Sequence, residues 1–493
     1  MASAARNLRR VTRRGPGLVA VGTLVLVLAA PEATAAPSPS PGATPSRATR
    51  PAFPAARDRA PAGTALAALP ASPKLPTATG LKTTLKKWVG AKELKPRVGV
   101  VVVSSGGRTL YSHAGSTSYT PASATKLLST AAALRQLGPG HRFTTSVYDT
   151  DAGSSASSAT HTIVLRGGGD PLLSSRKAVA AKVADKDISK RTAAGLATID
   201  DLARRTATAL RERGITKVRV RFDDRLFGPG VSTHWRKNYV STAEVSRVSA
   251  LTVDQGRAAT TGDRRVSSPP RHAADLFAAG LRKNKVKVTG RSERAKAPDG
   301  KAIASVMSPP LDRIAEHVLL TSDNDAAEML LRHTAVGRNQ PATFAGGVKA
   351  TKANLSALGL DLAGLKLFDG SGLSPSNRIS PLLLARLVAT AMSPSHPELA
   401  ATLSGLPVAG VSGTLVDRFH VVGTSGAGLV RGKTGTLNFV SALAGIAQTA
   451  DGAVLAYAFL ADKLHADARP YEERVTALLT SCGCRQRAAG RGG

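Results

Sequence analysis

Pro121-Ala122-Ser123-Ala124-Thr125-Lys126-Leu127-Leu128 is the stretch that decides the fold, and it continues through Leu134 and Leu137 to Gly138-Pro139. A Gly-Pro pair is typical of the end of a helix, so we predict a helix with Ser123 and Lys126 on its first turn. An alcohol is inert at neutral pH unless a base takes its proton, and a lysine can do so when burial keeps its amine neutral. The stretch therefore predicts Ser123 as a nucleophile and Lys126 as its base.

Ser-x-x-Lys alone does not decide the matter, because the pattern recurs from Ser174 to Lys177, and a single short match more often has a structural role. Two later motifs provide the context: Ser322-Asp323-Asn324 and Lys433-Thr434-Gly435-Thr436. A second cation near Lys126, such as Lys433, would favour the neutral amine. The order of the three motifs indicates that Ser123, rather than Ser174, is the catalytic serine.

The ordered trio resembles the signature of the serine penicillin-binding protein and β-lactamase superfamily. The flanking residues are similar to those of the D-alanyl-D-alanine carboxypeptidase/endopeptidase family, the class C low-molecular-mass penicillin-binding proteins. They are Pro121 to Ser123, Gly167 to Pro171, Ser322 to Glu328, Asp369 to Ser374 and Gly432 to Gly435. Ser322 follows Ser123 by 199 residues, more than a compact β-lactamase needs, and the family's inserted domains would occupy the excess. The resemblance covers roughly residues 85 to 480.

The resemblance implies an α/β (α+β) fold. It consists of a DD-peptidase-like transpeptidase domain, with an antiparallel sheet and flanking helices, that carries small inserted domains. The catalytic residues would be Ser123, Lys126 and Ser322, and Ser322 would relay a proton to the leaving amine. The substrate-binding residues would be Asn324, Lys433, Thr434, Gly435 and Thr436. The family acts as a carboxypeptidase, usually also as an endopeptidase, on peptidoglycan stem peptides, and β-lactam antibiotics acylate it. We expect no cofactor and no metal, and interpret Asp369, Ser371 and Ser374 as a structural turn near the site.

Two alternatives remain open at this stage. A serine β-lactamase would share the nucleophile, but in the best-known class a glutamate activates the hydrolytic water, and no glutamate here has the corresponding sequence context. A catalytically silent wall-binding protein would retain the motifs only as remnants, and the complete trio argues against it.

The N-terminus has the pattern of a secretory signal. Five arginines between Arg6 and Arg14 precede an apolar run from Leu18 to Ala30, and Ala33-Thr34-Ala35 has the pattern of a cleavage site. The run is shorter than the roughly 20 residues that span a bilayer, so we predict a cleaved signal rather than a stable membrane span. An extracytoplasmic enzyme, secreted or associated with the cell wall, is therefore expected.

We predict a signal peptide over 1–36, a disordered Pro/Ala-rich linker over 37–80 and folding from near Leu81. The DD-peptidase domain would occupy 81–150 and 306–482, with one or two inserted domains over 151–305 and a flexible tail over 483–493. Its second part would begin with a helical stretch, Leu311 to about Thr334, interrupted at the Ser-Asp-Asn motif.

The formal net charge of +34 favours polyanions. Aromatic residues make up only 4% of the chain and no nucleic-acid-binding motif is present, so we predict no nucleic-acid partner and regard anionic wall polymers as possible partners. Cys482 and Cys484 are too few for a four-ligand zinc site, and we interpret them as a free or locally oxidised pair.

Overall fold

The computed structural model describes residues 73–95, 97–151, 160–184, 195–259, 264–420 and 426–481. The predicted signal peptide, most of the predicted linker, and the tail with Cys482 and Cys484 lie outside these residues. The first helix, α1 (Ala78–Val89), begins three residues before Leu81, because Thr77 Oγ1 accepts a hydrogen bond from Gly80 N and caps the helix.

The first sheet combines strands from the two ends of the described chain. They are β1 (Arg97–Ser104), β2 (Thr109–His113), β8 (Val430–Leu437), β9 (Val440–Gln448) and β10 (Val454–Asp462). The strand order is β2-β1-β10-β9-β8, and every neighbouring pair is antiparallel. This architecture confirms the predicted antiparallel sheet with flanking helices.

Helices cover both faces of this sheet. Those after α1 are α2 (Lys126–Leu137), α6 (Leu311–Thr321), α7 (Asn324–Gly337), α8 (Phe344–Ala357), α9 (Pro381–Ala391), α10 (Ala400–Ser404) and α11 (Arg469–Thr480). Successive side chains of a strand point to opposite faces, so Val101 and Val103 pack with α2, α6, α7 and α9, whereas Val100 and Val102 pack with α1 and α11. None of the helices in the described segments is long and apolar enough to span a bilayer.

A second sheet lies between residues 144 and 307. Its strands are β3 (Thr144–Asp149), β4 (His161–Arg166), β5 (Lys217–Asp223), β6 (Lys287–Arg294) and β7 (Ala304–Met307), in the order β6-β5-β4-β3-β7. Strands β4, β5 and β6 run parallel, and β3 is antiparallel to both β4 and β7. Helices α4 (Ile199–Arg211) and α5 (Pro269–Lys283) share a core with this sheet. The division of the chain into domains at residues 151 and 305 stays a prediction.

The second Ser-x-x-Lys pattern lies at the start of helix α3 (Arg176–Val183). Ser174 is buried and its Oγ donates a hydrogen bond to Leu172 O at 2.9 Å, while Lys177 is exposed. Ser175 caps the helix by accepting a hydrogen bond from Ala178 N. These contacts show that the Ser174-to-Lys177 pattern belongs to the start of helix α3 and has a structural role.

Gly99 provides a test of the packing between β1 and the helices. A Cβ at this position would lie 2.7 Å from Tyr119 Cε2 and 2.8 Å from Pro381 Cγ, and Tyr119 is fixed there by its hydroxyl, which donates to Val98 O at 2.8 Å. We expect Gly99→Ala to lower the free energy of unfolding by about 1–3 kcal/mol, because a packed core cannot take the extra methyl group without strain. Chemical denaturation measures this change.

Gly106→Ala in the β1–β2 turn is the matched control, because a Cβ there meets only Ser104 Oγ at 4.0 Å. Equal stability of the two variants would contradict the packing described around Gly99.

Candidate active site

Ser123 and Lys126 lie on a tight turn that precedes helix α2. Ala122–Thr125 forms a 3-10 helix and α2 begins at Lys126, so the prediction that both residues lie on the first α-helical turn was wrong in this detail. Thr125 Oγ1 donates to Ala122 O at 2.8 Å, and the Lys126 N–H donates to Ser123 O. Side chains three residues apart eclipse in a 3-10 helix. The turn therefore places the lysine amine directly against the serine hydroxyl.

The Lys126 side chain is completely buried and its Nζ has three hydrogen-bond partners. They are Ser123 Oγ at 2.9 Å, Asn324 Oδ1 at 2.6 Å and Ser371 O at 2.8 Å. A neutral amine has two N–H groups and one lone pair. The amide and backbone oxygens can only accept, so they take the two N–H groups and leave the lone pair directed at Ser123. This is the geometry that a general base requires.

Burial shifts this amine toward its neutral form. Burial lowers the pKa of Lys126 to about 8, against the opposing effect of nearby carboxylates, of which Glu328 has the largest influence. Burial also lowers the pKa of Lys433 well below its ordinary value, and the charge of Lys126 adds to that effect. From the sequence, burial and the second cation are expected to act together on Lys126. In the structure burial lowers the pKa of both lysines, whereas the repulsion between them lowers mainly the pKa of Lys433.

The loop that presents the Ser371 carbonyl is held by two buried carboxylates. Glu328 accepts hydrogen bonds from Ser371 N at 2.8 Å and from Gly370 N at 3.1 Å. Asp369 accepts from Gly372 N, Ser374 N, Asn377 Nδ2 and Trp235 Nε1 at 2.6 to 3.1 Å. The loop also lies close to the serine turn, because a Cβ on Gly372, whose φ is +87°, would meet Ala122 O at 1.9 Å. Residues 369–374 therefore form the structural turn predicted from the sequence, and its Ser371 carbonyl contacts the Lys126 amine.

Ser322 stands at the break between α6 and α7. Its backbone is left-handed, with φ 61°, which ends α6, and Asp323 then caps α7 by accepting from Ala326 N at 2.9 Å. Ser322 Oγ accepts a hydrogen bond from Lys433 Nζ at 2.9 Å. Asn324, the first residue of α7, donates from Nδ2 to Glu244 O at 2.8 Å while its Oδ1 meets Lys126. The motif thus supplies one side chain to each of the two lysines.

Strand β8 carries the last motif along the edge of the first sheet. Lys433 is buried, Thr434 is half-buried and Thr436 is exposed. Gly435 permits a close approach to the serine turn, since a Cβ there would lie 2.5 Å from Pro121 O. Thr434 Oγ1 shares a hydrogen bond of 2.8 Å with Thr414 Oγ1. The structure therefore brings Ser123 and Asn324 to Lys126, and Ser322 and the Thr434 carbonyl to Lys433. Gly435 lies against the serine turn, and Thr436 follows it on β8.

Four contributing groups were missed from the sequence: Glu328, Thr414 and the carbonyls of Ser371 and Glu244. Glu328 had a usable signal, because it follows Asn324 by one helical turn and so lies on the same face of α7. The two carbonyls had none, since a backbone oxygen is common to every residue. Thr414 lies twenty residues before Thr434, in a 3-10 helix of three residues, Gly413–Leu415, which is too short to have a periodic pattern.

A cavity of about 800 Å³ adjoins this site. Ser322, Asn324 and Thr414 line it on one side, and Lys182 and Arg257, from the region of the second sheet, line it on another. Among the described residues, the group with metal-ligand spacing is Asp149, Asp151 and His161, and it lies outside this cavity.

Solved structures share this fold. Penicillin-binding protein 4 of Haemophilus influenzae matches with a TM-score of 0.62 and 19% sequence identity, over 82% of this chain and 98% of that protein. The family model described as "D-Ala-D-Ala carboxypeptidase 3 (S13) family" matches residues 81–264 and 257–481. This chain belongs to the S13 family.

Relatives within the family are similar over most of their length. Carboxypeptidase DacB of Mycolicibacterium smegmatis is 34% identical over 414 residues, which cover 83% of this chain and 85% of the relative. A D-alanyl-D-alanine carboxypeptidase of Actinomadura sp. is 30% identical, over 78% of this chain and 82% of the relative. The predicted resemblance to the carboxypeptidase/endopeptidase family is thereby confirmed.

Glu328 offers a test of the electrostatics around Lys126. Glu328 accepts backbone N–H groups with both oxygens. Burial raises the pKa of Glu328 to about 7, so this carboxylate is ionised at the higher pH where Lys126 titrates, and its negative charge raises the pKa of Lys126. Glu328→Gln keeps an acceptor for Ser371 N but removes the charge, so the pKa of Lys126 falls. Ser123 needs the neutral amine, and its reactivity rises with pH through that pKa. We therefore expect the midpoint of this rise to move to lower pH by about one unit.

The measurement is the rate at which a small serine-directed acylating agent modifies Ser123, followed by mass spectrometry from pH 6 to 10. Glu472→Gln is the matched control, because burial also raises the pKa of Glu472, but its partners are Ser441 and Arg418 rather than the loop beside Lys126. A purely structural role for Glu328 would lower the rate at every pH without moving the midpoint. That result would contradict the electrostatic interpretation.

Proposed function

We propose that this chain is a serine-type D-alanyl-D-alanine carboxypeptidase that also acts as an endopeptidase on peptidoglycan stem peptides. The observation that carries the proposal is the contact of 2.9 Å between Lys126 Nζ and Ser123 Oγ, with two other acceptors fixing the amine. An acyl-transfer enzyme needs such an activated alcohol. Membership of the S13 family supplies the substrate class.

In the proposed reaction, Ser123 Oγ attacks the carbonyl carbon of the penultimate D-Ala while Lys126 takes its proton. The bond to the terminal D-Ala then breaks while Ser322 donates its hydroxyl proton to the leaving amine and regains a proton from Lys126, which gives an acyl-enzyme, free D-Ala and a neutral lysine. Water attacks the ester, Lys126 takes a proton from the water and returns one to Ser123 Oγ, and Ser123 is restored. The backbone N–H groups of Ser123 and Thr436 would stabilise the oxyanion, each with an effect of about 10² to 10³ on the rate.

The terminal carboxylate of the substrate would lie against β8. Lys433, Thr434 and Thr436 are suited to an anion, because they supply an amine and two hydroxyls, and the negative charge of a bound carboxylate would favour the protonated form of that amine. Thr414 extends this set, since its hydroxyl is hydrogen-bonded to that of Thr434 at 2.8 Å. Asn324 would contact the substrate backbone from the opposite side of the site.

The cavity beside Ser322 supports the endopeptidase activity. Cleavage of a cross-link releases a second stem peptide, which is far larger than a single D-Ala. An open space of about 800 Å³ that continues from Ser322 and Asn324 can receive such a leaving group. Its lining includes cations, Lys182 and Arg257, and anions, Asp254 and Asp417, which suits a peptide with both charges.

The cellular setting is also part of the proposal. The N-terminal pattern favours export, which would bring the enzyme to its substrate outside the cytoplasm. β-Lactams would acylate Ser123, and penicillin-binding protein 4 of Haemophilus influenzae, which shares the fold, has been solved in complex with a β-lactam. The net charge of +34 would attract anionic wall polymers.

A labelled penicillin separates this function from that of a β-lactamase. The hydrogen bonds of Glu328 go to the backbone of Gly370 and Ser371, so this buried carboxylate serves the loop rather than a water beside Ser123. We therefore expect a long-lived adduct on Ser123 after a short pulse. Rapid turnover of the label would favour a β-lactamase instead.

Replacement of the nucleophile tests the peptidase activity. We expect Ser123→Ala to reduce the release of D-Ala from a pentapeptide by at least about a thousand-fold, because the residual groups only bind and polarise the substrate. Ser174→Ala is the matched control, since it changes the serine of the other Ser-x-x-Lys pattern. Unchanged release from Ser123→Ala, with a correctly folded protein, would mean that the catalytic assignment is wrong and that a silent wall-binding protein is the better description.

A further inference from the structure

Three ligand-type side chains meet where strands β3 and β4 lie side by side. Asp149 ends β3, Asp151 follows it by two residues, and His161 begins β4. One atom from each side chain lies within 4.8 Å of the other two. Ligands around a tetrahedral metal with bonds of 2.0–2.1 Å are about 3.4 Å apart, so a small adjustment would bring all three into coordination.

The His161 ring provides an independent observation that points to a ligand. His161 is 4% exposed, and its Nδ1 lies 3.5 Å from Asp149 Oδ1 and has no hydrogen-bond partner among the residues that the structure describes. A buried polar atom without a partner is unfavourable by about 1–3 kcal/mol. A cation between this nitrogen and the carboxylates would satisfy it, because an imidazole nitrogen with a free lone pair is a good metal ligand.

Neighbouring groups hold the two carboxylates in place. Asp151 Oδ2 accepts from Thr162 N at 2.7 Å, and Asp149 Oδ1 accepts from Asp151 N at 3.1 Å. Such contacts orient ligands in known metal sites, and a carboxylate oxygen that accepts one hydrogen bond keeps a second lone pair for a metal. The competing cation is Arg213, whose Nη1 is 3.5 Å from Asp149 Oδ2. Its side chain is 46% exposed, so it can withdraw into solvent when a metal binds.

We propose that Asp149, Asp151 and His161 form a zinc site that joins β3 to β4 and stabilises the second sheet. One nitrogen and two carboxylate oxygens are ligands that suit Zn²⁺, whereas Mg²⁺ and Ca²⁺ prefer oxygen alone. Three protein ligands leave a fourth position to water. The site does not include any residue of the catalytic groups around Lys126 and Lys433, so it is independent of the proposed peptidase activity.

The test is a titration of the full chain, dialysed against EDTA and then against metal-free buffer, with zinc chloride in a calorimeter. We expect one Zn²⁺ per chain at this site and a rise in melting temperature on zinc addition. Asp151→Asn and His161→Gln should each weaken the affinity at least about tenfold and remove the thermal shift, because each deletes a ligand. Magnesium and calcium chlorides should not compete with zinc.

Two controls make the assignment specific. His396→Gln removes another histidine beside a carboxylate, Glu398 at 3.3 Å, in a group with no third ligand among the described residues, and should leave zinc binding unchanged. The double variant Cys482→Ser/Cys484→Ser should also retain it. Loss of zinc binding in the cysteine variant, equal affinity in His161→Gln and wild type, or no binding at 100 µM zinc would each overturn the proposal. Penicillin acylation, measured on every variant, reports correct folding and tests the peptidase assignment separately.

Discussion

The active site depends on the three hydrogen bonds of the Lys126 amine. Its partners come from segments far apart in the chain: the serine turn, the start of α7, and the loop after residue 369. A buried amine must satisfy its N–H groups within the protein, since water cannot reach it. The fold is therefore constrained to bring α2, α7 and this loop together, and Ser123 is activated only where all three meet.

Buried charge surrounds this interaction. Glu328 and Asp369 fix the loop, and Arg332, also fully buried, donates to Pro229 O and lies over the Phe344 ring at 4.1 Å. Burying charged groups is unfavourable unless each is paired, and replacing such networks by apolar residues often stabilises a protein. Packing alone thus does not explain why Glu328, Asp369 and Arg332 are charged residues. The site does give a reason for the two carboxylates, because they hold the loop whose carbonyl contacts the Lys126 amine and raise the pKa of that amine against the effect of burial.

The parts of the molecule that could be predicted from the sequence are those whose structure depends on neighbouring residues in the chain. The Val-rich run of β1, the helix end at Gly138 and the break at Ser322 all carry local signals, and the three motifs led to the right region of the structure. The 3-10 turn at Ala122–Thr125 could not be predicted, because it depends on contacts with Gly372 and Gly435, more than 240 residues away. The second sheet was also recognised only as short strands, since parallel pairing of β4, β5 and β6 leaves no mark on any one of them.

The base itself is a source of instability. With a pKa of about 8 in the fold and 10.5 in the unfolded chain, protonated Lys126 destabilises the native state by about 3 kcal/mol below pH 8. The unfolded chain binds more protons between pH 8 and 10.5, so this penalty declines as pH rises through that window and disappears above it. The completely buried Leu127 and Leu128 belong to the core that must offset it. The residues that directly follow the base in the chain thus stabilise the fold that holds it.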